Sequence, residues 1–100
     1  MSLFELGSVL MTSGVVGMVD GDPEAMRAVM DCLGRHARGD WGDLCEDDRE
    51  LNDLAIQAER DGGYTDRLFS AYETEFGKLY VITEWDRSAT TVLTPEEYRR

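Results

Sequence analysis

A chain of 100 residues, 42% hydrophobic and 31% charged, has the size and composition of one folded domain, which excludes wholesale disorder. With 10 Lys and Arg against 21 Asp and Glu, the formal charge is −11, so repulsion argues against direct binding to nucleic acid or to an anionic membrane. No apolar run reaches the roughly 18 residues of a membrane span, and Met1-Ser2-Leu3-Phe4-Glu5 lacks the basic start of a signal peptide, so a soluble, cytoplasmic protein is expected.

Along the chain, Phe4–Thr12 reads weakly as a strand. Thr12 or Ser13 then caps a short helical stretch, Val15–Val19, which Gly21 ends. A stronger start follows: Asp22 is a good N-cap and Pro23 fits the first helical position. Met26, Val29, Met30, Leu33 and Ala37 recur at helical spacing, so Pro23–Arg38 is expected as an amphipathic helix with these residues inward. Arg35, His36 and Arg38 fall in its last turn, where positive charge complements the dipole, and Gly39 fits the residue just past the end. Gly39–Glu46 is a tight connection, with glycines either side of Trp41 that let the ring turn inward as a core plug or outward as a partner anchor.

Asp47 opens a second helix with Glu50 at capping-box spacing; its expected buried stripe is Leu51, Leu54, Ala55 and Ala58, and Gly62-Gly63 stops it. The period then becomes alternating. Arg67–Glu73, Lys78–Trp85 and Ala89–Leu93 read as strands, joined at Glu75-Phe76-Gly77 and Asp86-Arg87-Ser88 and ended by Pro95. The expected fold class is α+β: a three-stranded antiparallel β-meander packed against two main helices, one domain over 1–100, with the N-terminal strand available to extend one edge.

The chemistry is concentrated in one window. From Asp40 to Asp53 there are seven carboxylates and one arginine, which carry −6 of the total charge. Asp40, Asp43, Glu46, Asp47, Asp48, Glu50 and Asp53, with Trp41 as an anchor, are the candidate partner-binding residues, because concentrated negative charge attracts a basic surface. Catalytic readings are weaker. His36, Cys45 and Asp40 match no nucleophile motif, and Glu84 with Asp86 reads more simply as part of a turn. Cys32 and Cys45 form no disulfide framework, no CxxC or HxxxH spacing suggests a metal, and no cofactor is expected. Arg67, Lys78 and Arg87 are scattered, and Arg99-Arg100 is a terminal pair, not a nucleic-acid-binding patch.

Two segments carry a resemblance. One is His36-x-Arg38-Gly39-Asp40-Trp41-Gly42-Asp43-Leu44 with Glu46-x-Asp48-Arg49-x-x-Asn52. The other is Leu68-x-Ser70-Ala71-Tyr72 with Val81-Ile82-Thr83-Glu84-Trp85-Asp86-Arg87-Ser88-Ala89-Thr90-Thr91-Val92-Leu93-x-Pro95-Glu96-Glu97-Tyr98. Together they resemble a family of short proteins of bacterial plasmids, phages and integrated elements, commonly labelled plasmid-related and sometimes attached by name to restriction-modification systems. The resemblance covers about Leu6–Tyr98, is weakest over Gly14–Asp31, and brings no catalytic residues. It implies a mobile-element setting. With the charge and the size, it leads to an expected function: a non-enzymatic inhibitor of a nucleic-acid-handling defence system, of anti-CRISPR or anti-restriction type, acting through a DNA-mimicking acidic surface. The alternative is an accessory protein-interaction domain, with an edge strand or an exposed Trp available for dimer formation.

Overall fold

The computed structural model describes residues 2–98; Met1 and the Arg99-Arg100 pair lie outside the described residues. Among the described residues the fold is α+β, with three α-helices and one four-stranded mixed sheet. In chain order the elements are β1 (Ser8–Met11), α1 (Ser13–Val19), α2 (Pro23–Ala37), α3 (Glu46–Arg60), β2 (Leu68–Thr74), β3 (Gly77–Thr83) and β4 (Ala89–Leu93), followed by a 3-10 turn at Pro95–Glu97.

The sheet order is β1-β4-β3-β2. The hairpin-linked strands β2, β3 and β4 pair antiparallel, whereas β1 joins β4 in parallel, Ser8 beside Ala89 and Met11 beside Val92. The sheet is therefore not a purely antiparallel meander. The reason lies in the connection: β1 leaves through helices, and such a crossover permits the parallel arrangement that a tight hairpin forbids. β1 is also shorter than the expected Phe4–Thr12. Phe4 lies in the core against Trp41 and His36.

Alternation along β2, β3 and β4 gives this part of the sheet one covered face. Leu68, Ser70 and Tyr72 of β2, Leu79, Val81 and Thr83 of β3, and Thr90 and Val92 of β4 are all buried on that face. Tyr72, Leu79, Val81 and Val92 pack with Val15 and Val19 of α1 and with Ala25, Val29, Cys32 and Leu33 of α2. A second cluster joins Phe4, Trp41, Ala55, Ile56 and Leu68 beside α3.

The local start signals hold for α1 and α2. Thr12 Oγ1 accepts from Val15 N–H, Asp22 Oδ1 accepts from Glu24 N–H at 2.9 Å, and Gly39 takes the left-handed conformation at φ +82°. Two inward faces differ from expectation. On α2 the buried side centres on Val29, Cys32, Leu33 and His36, which leaves Met30 58% exposed. On α3 the buried residues are Asn52, Ala55 and Ile56, while Leu51 and Leu54 are 64% and 60% exposed.

Asn52 explains the rotation of α3. Its Nδ2 donates to Phe69 O at 2.7 Å and its Oδ1 accepts from Phe69 N–H at 3.2 Å, so the side-chain amide pairs with the edge of β2 as a strand would. With Asn52 turned inward, Leu51 and Leu54 face outward. The helix also begins two residues early, at Glu46, where an Asp47 cap would start it at Asp48. Cys45 is its N-cap without a side-chain bond, and no Asp47–Glu50 capping box forms. Asn52→Asp keeps the shape of the side chain but turns the donor facing Phe69 O into a repelling acceptor. It should lower the unfolding free energy by about 2 kcal/mol or more in urea titrations, whereas an exposed Leu51→Gln should change it by under about 0.5 kcal/mol.

Candidate functional site

The acidic loop between α2 and α3 is bound to the outer edge of β2. Ala71 N–H donates to Trp41 O at 3.3 Å, and Asp43 N–H donates to Ala71 O at 2.7 Å. Glu73 N–H donates to Asp43 Oδ2 at 2.9 Å. With Asn52 on Phe69, the outward-facing backbone groups of Phe69 and Ala71 and the Glu73 N–H all find partners, so this edge is closed. Close approach demands a glycine: Gly42 has φ +77°, and a Cβ there would lie 2.0 Å from Ala71 O.

This docking decides the fate of the candidate residues. Asp40 accepts from Arg35 Nε at 2.7 Å and from Gly42 N–H at 3.2 Å; the Arg35 bond holds its carboxyl below the usual range. Asp43 caps Glu73 as above. Asp48 accepts from the Cys45 thiol at 3.4 Å. Asp53 accepts from Trp41 Nε1–H at 2.9 Å. Trp41 itself is 4% exposed and packs against Phe4 and His36. It is a core residue and not a surface anchor, because its backbone is fixed on β2 and its indole N–H is satisfied internally by Asp53.

Glu46, Asp47 and Glu50 are different. Their carboxylates make no ion pair or hydrogen bond with a described residue, and all three are exposed on α3. The neighbouring Arg49 does not neutralise them: it folds back, donating to Leu44 O at 3.1 Å and Gly42 O at 2.9 Å. Asp47, Glu50, Leu51 and Leu54 line one shallow depression, while Glu46, Glu50 and Asp53 line another with Leu44 and Arg49. The structure thus gathers part of the predicted acidic set on one helix face and adds two leucines that sequence periodicity assigned to the core. Next to them, a cleft between α3 and the sheet is floored by Phe69, Tyr80 and Tyr98, whose rings touch edge-on or tilted. The alternating pattern of β2 and β3 carried the signal for Phe69 and Tyr80; nothing in the tail marked Tyr98.

The residues weighed for catalysis do not converge. His36 is fully buried between the two core clusters. Its Nδ1 is 2.5 Å from Ser70 Oγ and its Nε2 is 2.9 Å from Thr83 Oγ1; Thr83 and Thr90 share a bond, and Thr90 donates to Leu6 O. Burial, helped by the Arg87 charge, pulls the His36 pKa down to about 4, so the ring is neutral and does not serve as a positive helix-end charge. The Cys45 thiol bonds Asp48, away from His36. Cys32 is a buried free thiol that burial pushes up to about 11. Asp86 accepts from Ser88 N–H in its turn, while Arg87 reaches back to Glu59 at 3.0 Å and to two backbone carbonyls, those of Asp66 and Glu84. Glu97 clamps the turn after β4 to Thr12, Gly14 and Thr94, and these donors hold its pKa near 2.

Among the described residues no group of three or more His, Cys, Asp or Glu is placed to hold a metal ion, and no helix is long and apolar enough to cross a membrane. Comparison with protein-family models, with curated proteins and with solved structures gives no match to this chain.

His36 makes stability depend on pH in a defined window. The unfolded ring takes a proton near its ordinary value of 6.5, the folded ring only near 4, so stability is lost as pH falls through that interval. The loss should total roughly 3 kcal/mol, read as a falling urea midpoint between pH 7 and pH 4. His36→Gln should be less stable throughout but should lack that slope.

Proposed function

We propose that this protein is a non-enzymatic inhibitor that docks the outer face of α3 on a basic surface of a nucleic-acid-handling defence complex. The observation that carries the reading is the pairing of Glu46, Asp47 and Glu50, which have no internal partner among the described residues, with the exposed Leu51 and Leu54. Proteins that hold nucleic acid display grooves of Lys and Arg matched to phosphate charge. Carboxylates on a rigid helix can compete for such a groove, while two leucines bury apolar surface that DNA lacks. The acidic first turn of α3 also lies at the positive end of the helix dipole, which stabilises this display of charge. The resemblance to mobile-element proteins gives the setting in which blocking a host defence system is useful.

The exposed leucines also favour a second reading, an accessory interaction domain in which apolar contact dominates and no nucleic acid is mimicked. Salt separates the two. Charge-led docking weakens steeply as ionic strength rises, and leucine-led docking hardly changes.

The test begins with tagged protein in a bacterial host lysate, eluted by rising salt, followed by DNA-binding assays on the captured partner. A nucleic-acid-handling partner released at moderate salt, whose DNA binding the protein inhibits, is the expected result. Glu46→Lys with Asp47→Lys and Glu50→Lys should weaken that inhibition at least about 100-fold while leaving the fold intact. Undiminished inhibition by this variant would sink the proposal. Loss of binding only in Leu51→Ser with Leu54→Ser, without salt dependence, would establish the accessory reading.

A further inference from the structure

The two edges of the sheet are treated in opposite ways. The β2 edge is closed by the loop and by Asn52, whereas β1 is a terminal strand with every residue exposed: Val9 at 47%, Leu10 at 51% and Met11 at 36%. Edge strands that remain single are ordinarily blunted by charge, proline or a bulge. β1 has none of these. The whole stretch Leu6–Val19 contains no charged residue, in a chain of net charge −11, and Val16 of α1 adds a further exposed apolar side chain, at 53%.

The backbone of β1 is poised for a specific pairing. Ser8 N–H and Thr12 N–H donate to Ser88 O and Val92 O of the β4 side. Alternation then turns the amide and carbonyl groups of Val9 and Met11 outward, away from the sheet. These hydrogen-bonding groups have no partner among the described residues and lie beside apolar side chains, and a second strand laid along the edge would pair them and cover those side chains.

We propose that β1 pairs antiparallel with β1 of a second copy, about a two-fold axis through Leu10. In this register the outward-facing Val9 of one copy and Met11 of the other exchange N–H···O=C bonds, and Leu10 meets its own counterpart in the close, non-hydrogen-bonded position. Side chains then match by character: Ser8 stands opposite Thr12 and Val9 opposite Met11. Shifting the axis to Val9 would set Ser8 against Leu10 and Gly7 against Met11, which loses that match. The isologous fit favours a second copy over an unrelated strand, because one uncharged segment supplies both halves of a self-complementary pair. It also resolves the electrostatic objection: two strongly acidic chains meet through a segment that carries no charge. The sheets merge into one continuous sheet, and the two α3 faces, each beside the opposite edge, point away from the junction. The pairing does not depend on what α3 binds. If α3 docks a partner, the dimer presents that face twice, and linked contacts raise avidity.

Sedimentation equilibrium of the full chain at tens of micromolar should give a dimer. Raising salt should leave it intact or strengthen it, since screening relieves repulsion between the acidic copies. Leu10→Lys sets like charges face to face on the axis and should weaken association at least about 100-fold, with an unchanged circular dichroism spectrum. A second measurement fixes the register. In a Cys45→Ser background, Leu10→Cys should form a covalent dimer on oxidation, because non-hydrogen-bonded neighbours lie at disulfide distance, while Val9→Cys should not. A monomeric wild type, or a dimer indifferent to Leu10→Lys, overturns the proposal. Cross-linking through Val9→Cys and not through Leu10→Cys overturns the register.

Discussion

The backbone pairing of Trp41 and Asp43 with Ala71 is the constraint from which the rest of the molecule follows. An edge strand with free amides is a liability, and here the chain closes it with a loop, a carboxylate and a side-chain amide in place of another strand. Asp43 finishes the edge at Glu73 and Asn52 finishes it at Phe69. Placing the loop there buries Trp41, which then needs Asp53 as acceptor, and Tyr72 donates its hydroxyl to Asp40 O from the neighbouring strand. Fixing Asn52 sets the rotation of α3, and that rotation alone decides that Leu51 and Leu54 face water. A concentrated negative charge on the sequence thus becomes two populations: carboxylates that hold the loop and tryptophan in place, and carboxylates with no partner among the described residues.

Much of the fold was legible because its signals are local. Asp22-Pro23 and Gly39 bracket α2, the β-branched run Ala89–Leu93 is β4, and the alternation after Arg67 marks the strands of the meander. What was not legible depends on contacts distant in sequence. Asn52 looks like a solvent-facing residue until β2 is beside it, so hydrophobic periodicity put Leu51 and Leu54 in the core along with Ala55, and of these three only Ala55 is buried. His36 has the chain position of a charge at a helix C-terminus, yet Ser70, Thr83 and Thr90 arrive from the sheet to bury it as a neutral ring. The parallel placement of β1 could not be read from a strand whose partner lies some eighty residues away. The acidic window itself was plain in the sequence. Its division was not, because a carboxylate that bonds a distant amide looks the same in sequence as one that does not.

The result is a molecule with unlike ends. One end carries the closed edge, the aromatic cleft and the free acids of α3. The other carries an uncharged, apolar, unprotected strand. Between them, the buried hydrogen-bonded line from His36 to Leu6 O ties α2, all three strands of the meander and the N-terminal segment together. Such a buried polar network specifies one arrangement of elements only when its members are satisfied, and every member of this line has a partner. The face of α3 lies outside this line and is held on the same sheet by Asn52 at Phe69.

Two triple neutralisations, compared in urea unfolding, separate the structural carboxylates of the acidic window from the free ones. Asp40→Asn with Asp43→Asn and Asp53→Asn removes charged acceptors from Arg35, Glu73 and Trp41, and should cost roughly 3 kcal/mol. Glu46→Gln with Asp47→Asn and Glu50→Gln touches no described partner, trades some helix-dipole stabilisation for relief of like-charge repulsion, and should change stability by less than about 1 kcal/mol. Equal losses in the two variants, or a larger loss in the second, would contradict that division.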